Sequence, residues 1–210
     1  MSQFICIQTL FKRKPILLKA LEEYGFKGKI TTGIGLKLRD FVNGFTGQYC
    51  EIRIDRRHLS HVSNDVGFRY NTTKQAYELV ISEFDNSMKQ HFDVGKLKQI
   101  YAQLILKEQS IIKNAGLNIK KSPGGDIEIT IQSNEKDGEK KGDIKANIDN
   151  QGNVEMEVLN SKGTACAEVT KEFEEQLGKV VSRDYKPEYY EEEEIINEKQ
   201  KKQNIQKIQY

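Results

Sequence analysis

Two hydrophobic periods alternate along this chain. FICIQT, residues 4–9, alternates apolar and polar positions as a strand does. Pro15 then opens ILLKALEEYGF. There Ile16, Leu17, Leu18, Ala20 and Leu21 fit a helix with proline in its first turn and Gly25 as its stop. KGKITTGIGLKLRDF is glycine-spaced and β-branched, which predicts a short strand and a turn. Three strand candidates follow: QYCEIRIDR (48–56), DVGFRYN (65–71) and AYELVISEF (76–84). In the first, Cys50, Ile52 and Ile54 alternate with Tyr49, Glu51, Arg53 and Asp55, which sends Cys50 to the core with the isoleucines.

VGKLKQIYAQLILKEQSIIKNAGL (94–117) carries the strongest helical period. Its stripe is Leu97, Ile100, Tyr101, Leu104, Ile105, Ile111 and Ile112, with Gly116 as the expected stop. NIKK-SPGGD-IEITIQ reads as a hairpin. SNEKDGEKKGD (133–143) has nothing to bury and marks a linker. Beyond it, IKANID and VEMEVLN pair around Asn150-Gln151-Gly152-Asn153, a strong turn signal. An amphipathic helix stopped by Gly178 follows, then KVVSRDYKPEYYE, which runs out extended. The last stretch, EEEEIINEKQKKQNIQKIQY, reads as a floppy helix or a disordered tail, with disorder favoured.

These elements predict an α+β fold. Residues 1–132 form a mixed or antiparallel sheet with two helices. A polar linker spans 133–142, a hairpin-helix module 143–190, and a charged, flexible tail 191–210. The helix-hairpin that ends the first unit and the hairpin-helix of the second can share one sheet.

Composition narrows the function classes. With 37% hydrophobic and 30% charged residues the core is modest. No window approaches the roughly 18 consecutive apolar residues of a membrane span. MSQFICIQTLF lacks the segments of a signal peptide, so a reducing, soluble compartment is expected. Residues 1–121 hold 20 Lys/Arg against 11 Asp/Glu, a net +9; residues 122–210 hold 13 against 20, a net −7. Opposed halves attract each other or an oppositely charged partner, or are simply two solvated surfaces. Cys6, Cys50 and Cys166 are odd in number and far apart, which argues against a disulfide framework or a zinc knuckle.

The candidate chemistry is sparse. With Thr164 as the cap, Cys166 falls in a helical first turn, where the dipole and Lys162 favour a thiolate. Cys166, Val169, Thr170, Phe173 and Leu177 also share one helical face, so a packed thiol is the competing reading. No histidine lies in the same unit to act as its base. His58 and His61, spaced as HLSH, are candidate metal ligands without a completing set. The loop around them carries Arg56 and Arg57, which suit an anion. His91 falls near the start of the long helix with no chemistry implied. The glycines of TTGIGLKLRDFVNGFTG lack the spacing of a phosphate loop. GQYCEIRI and GFRY interleave aromatic and basic residues, the composition of a single-strand RNA-binding sheet without its aromatic-rich signature.

MSQFICIQT, GFTGQYCEIRI with DVGFRYN and YELV, and IYAQLILKEQ together resemble the hypothetical chloroplast reading frame thirty-five family of plastids and cyanobacteria, over about residues 1–132. GNVEMEVLNSKGTACAEVTKEFEEQLG through SRDYKPEYYE resembles a separate small domain of unknown function built around a Lys-Gly-x-x-Cys turn, over about 143–191. The resemblance implies bacterial cytoplasm or plastid stroma and an AAA-type ATPase encoded nearby. It implies no cofactor and no activity. The expected function is a non-enzymatic accessory or adaptor protein that binds another protein, with Lys162, Gly163, Cys166, Arg56 and Arg57 as contact candidates. A thiol factor using Cys166 and a nucleic-acid binder using the basic half are the alternatives.

Overall fold

The computed structural model describes residues 3–59, 63–81, 85–133, 142–159 and 165–185, with the side chains of 86, 87, 89 and 165–169 outside that description. The chain is α+β, with two antiparallel sheets and helices between and beside them. β1 (Gln3–Thr9) leads to α1 (Lys14–Leu21), where Pro15 starts the helix. A wide turn over Glu22–Phe26 ends at Gly25, whose φ of 127° only glycine adopts readily. β2 (Ile30–Arg39), β3 (Phe45–Ile54), β4 (Val66–Asn71) and β5 (Ala76–Val80) form a four-stranded sheet in chain order. α2 (Asn86–His91) and α3 (Val94–Ile112) follow, each capped at its N-terminus by an aspartate, Asp85 and Asp93.

β6 (Gly116–Lys121) and β7 (Ile127–Gln132) make the expected hairpin. β8 (Asp143–Ile148) and β9 (Val154–Leu159) make the next one, and α4 (Ala165–Leu177) and β10 (Gly178–Tyr185) complete the described chain. These strands and β1 form a six-stranded sheet in the order β10-β1-β9-β8-β7-β6. Within it, β1, α3, β8, β9, α4 and β10 occupy the places of a βαββαβ unit with strand order 4-1-3-2, the split-βαβ or ferredoxin-like arrangement. The β6–β7 hairpin extends that sheet, and the four-stranded sheet is inserted between α1 and α2.

Alternation places Ile127, Ile129, Ile131, Ile144, Ala146, Ile148, Val154 and Met156 in the core with Ile5 and Ile7. The same cluster takes in Ile52, Ile54, Val66 and Phe68 of the four-stranded sheet, so one core joins both sheets. Phe11 bridges them, edge-on to Phe68 at 5.8 Å and to Tyr101 at 5.3 Å between centroids.

Several elements depart from the sequence reading. The 30–39 stretch is one strand, not a short strand and a turn, because its glycines serve bulges. α3 ends at Ile112; Asn114 adopts a φ of 49° and Gly116 opens a strand instead of stopping the helix. Ile111 and Ile112 stand exposed in the last turn, while Gln109 and Ser110 are buried there. His91 ends α2 and is exposed. Of the strand expected over 76–84, the structure has Ala76–Val80, and residues 82–84 lie outside the described residues. The extended stretch after Gly178 is a strand paired to β1.

Candidate functional site

The most distinctive surface is the β2–β3 hairpin. Thr32 pairs with Ile52 and Leu36 with Cys50, so β2 carries extra residues there; Lys37 pairs with Tyr49 and Arg39 with Phe45, so β3 carries extra residues in turn. Each bulge bends its strand and increases the local twist. Gly35 (φ 64°) and Gly47 (φ 82°) supply the left-handed positions these bulges use. The bend carries the end of β2 over to the start of β4. Leu38 and Cys50 then close on Gly67, where a Cβ would stand 2.9 Å from both Leu38 Cδ2 and Cys50 Cβ.

Asp65 fastens this arrangement. Its buried carboxylate accepts from the backbone N–H of Arg39 at 2.9 Å and of Arg56 at 2.8 Å, and its own N–H donates to the Arg39 carbonyl at 2.8 Å. Asn64 Oδ1 accepts from Phe41 N–H at 2.8 Å, and the Asn64 N–H donates to Asp85 Oδ2 at 2.6 Å. The turn itself is tied by Asp40 Oδ1, which accepts from Val42 N–H at 3.0 Å and Gly44 N–H at 2.7 Å. These bonds fix a turn whose tip is apolar.

Phe41 is 57% exposed, Val42 69% and Ile34 99%; with Phe45 and Tyr49 they are five of the eleven large hydrophobics that stand exposed among the described residues. The Phe45 and Tyr49 rings lie 5.1 Å apart, and Lys37 Nζ sits 5.3 Å from the Phe45 centroid. Arg53 Nη1 donates to the Lys37 carbonyl at 3.0 Å. The hairpin thus presents a rigid apolar-aromatic tip on a cationic base.

The sequence-predicted residues fall elsewhere or outside the description. Arg56, Arg57 and His58 form a single 3-10 turn beside this hairpin's base. Arg57 pairs with Asp55 at 2.8 Å, and that hydrogen bond holds the Asp55 carboxyl well below the usual carboxylate range. His58 is exposed; His61 lies outside the described residues, as do Lys162 and Gly163. No cluster of His, Cys, Asp or Glu suited to a metal occurs among the described residues. Cys166 is the second residue of α4, but its side chain is outside the description. Farther along that helix, Thr170, Phe173 and Leu177 are buried, as the helical register predicts. Glu174 pairs with Arg183 and accepts from Thr170 Oγ1 at 2.7 Å. Cys50 is buried, and burial pushes its thiol up to about 11, the opposite of an activated nucleophile.

Sequence reasoning missed the hairpin tip. Phe41 and Val42 at the tip, and Ile34 in the β2 bulge, sit among glycines and charged residues with no period, and only their failure to fit a core face marks them.

Residues 144–190 match a family model described as a protein of unknown function (DUF2997). This lies within the stretch that the sequence sets apart as the Lys-Gly-x-x-Cys domain. Neither the curated proteins nor the solved structures compared with the chain gave a match. The likeness of residues 1–132 to the chloroplast reading frame family rests on its motifs alone. No helix among the described residues is long and apolar enough to cross a membrane.

Proposed function

We propose that this is an accessory protein that binds another protein through the β2–β3 hairpin, in a reducing compartment such as a bacterial cytoplasm or plastid stroma. The observation that carries the reading is the exposure of Ile34, Phe41, Val42, Phe45 and Tyr49 on one hydrogen-bonded hairpin. A turn needed only to reverse the chain functions with polar residues at its tip, whereas several large apolar side chains exposed on one hairpin suit a contact site. Bonds from Asp40, Asn64 and Asp65 preorganise the tip, so less ordering entropy is lost on binding. Lys37, beside the exposed Phe45 ring, favours a partner whose apolar patch is rimmed by acidic residues. An AAA-type ATPase is the partner class the resemblance implies.

The test compares wild type with Phe41→Ser/Val42→Ser/Phe45→Ser, after both are shown to melt alike, by copurification and mass spectrometry. The triple variant is expected to lose a discrete partner at least about tenfold. Equal recovery of the same proteins by both overturns the reading. A nucleic-acid reading draws on the exposed Phe45 and Tyr49 rings, tilted at 59° to each other, with Lys37 over Phe45. It predicts material that is lost on nuclease treatment and whose affinity falls steeply with salt.

A further inference from the structure

We infer that residues 144–190 form a frame that accepts an extended strand, that its occupant is residues 3–9 of the same chain, and that the frame does not hold its fold without that strand. The matched segment supplies β8, β9, α4 and β10. β9 and β10 do not touch as neighbours in the sheet; β1 lies between them, antiparallel to both. β10 is an edge strand, and β1 is its sheet neighbour: Ile5 pairs with Arg183 on one side and with Met156 on the other. Removing β1 leaves a hairpin, a helix and a strand with no sheet neighbour, within a segment near the roughly 40-residue lower limit for independent folding.

The frame carries the imprint of its occupant. A Cβ on Gly178 would lie 2.0 Å from the Gln8 carbonyl oxygen and 2.9 Å from Leu10 N, so this position admits only glycine while β1 is in place. The β8–β9 turn is shaped in the same way to the first half: a Cβ on Gly152 would lie 2.2 Å from Lys98 Cβ, and one on Gly95 would lie 2.5 Å from the Asn150 carbonyl. Gly152 is also required by its own turn, where φ is 76°, whereas Gly178 has no left-handed φ and the approach of β1 alone calls for glycine there.

Recognition of the strand is chemical as well as geometric. Its inward positions are Gln3, Ile5, Ile7 and Thr9, all buried. Gln3 Nε2 donates to Thr170 Oγ1 at 2.9 Å, Thr170 Oγ1 donates to Glu174 Oε1, Glu174 pairs with Arg183, and Arg183 Nη1 donates to Gln3 Oε1 at 3.2 Å. This closed ring ties the strand to α4 and β10 together. A strand with an aliphatic residue in place of Gln3 breaks the ring at two bonds, which sets the register. Leu10 N–H then donates to the Leu177 carbonyl at 2.9 Å, Lys12 Nζ to the Glu175 carbonyl at 2.9 Å and Arg13 Nη1 to Gln176 Oε1 at 2.7 Å, closing the junction beyond the strand.

The experiment places a specific protease site within 134–141 of the full chain and cuts it after folding. The expected result is a single 1:1 species in gel filtration that melts in one transition, with the β10 amides as protected from hydrogen exchange as before cutting. Separation of the pieces in native buffer with α4 and β10 still protected overturns the inference, and so do two independent melting transitions. Gln3→Leu keeps the burial but removes the ring, and is expected to shorten the lifetime of the cut complex about tenfold. An unchanged lifetime overturns the role of Gln3 as the recognition residue.

Discussion

Cys50 shows how little a residue's type says about its chemistry. Its thiol lies 3.6 Å from the Leu36 carbonyl and against Gly67, and burial raises it to about 11. The native protein should therefore alkylate at Cys50 far more slowly than the urea-unfolded chain at pH 8, as mass spectrometry of iodoacetamide-treated samples would read. The same shift has a signed consequence for stability. Below the ordinary value of 9.0, folded and unfolded chains both keep the proton. Between there and about 11 the unfolded chain releases it and the folded one does not, so this contribution is lost as pH rises through that window. The loss reaches at most about 1.4 kcal/mol per pH unit. Urea melts of wild type and Cys50→Val at pH 8 and 10.5 should show a smaller pH loss in the variant; identical losses would contradict the assignment.

At the scale of elements, periodic stretches were legible and irregular ones were not. β1, β7, β8, β9 and α4 each bury one face, and their alternation or 3.6-residue period places them correctly. The 30–39 strand was obscured because its glycines carry bulges, which look like turns to a reader of sequence. β10 was obscured because it is an edge strand whose exposed Val181 follows directly on Val180 and breaks the alternation, and because its sheet partner β1 lies at the other end of the described chain. The clamp that bends the hairpin was equally hidden: Asp65 reads as a surface aspartate before a strand, yet its carboxylate holds Arg39 and Arg56. Asp65→Ala leaves those N–H groups without their acceptor and should cost about 3 kcal/mol in chemical denaturation. Asp65→Asn, which keeps one acceptor oxygen, should cost less. Equal stability of all three proteins would remove Asp65 from its role as the fastening of the hairpin.

For the whole molecule, the opposed charges of the halves take a specific form at a few places among the described residues. Lys113 meets Glu172 at 2.9 Å and Lys12 reaches the end of α4, but shared β-sheet and a shared apolar core do most of the joining. The basic hairpin is left facing outward, with its apolar tip fixed by the strands and loops behind it. That tip is where the account locates function, and a photo-crosslinking amino acid placed there tests it most directly. With p-benzoylphenylalanine at position 41 of the full chain, irradiation in native extract should give a discrete protein adduct that resists nuclease. The same group at exposed Asn118 on β6 should give none of that adduct. No adduct at 41, or the same adducts from both positions, would contradict the central claim.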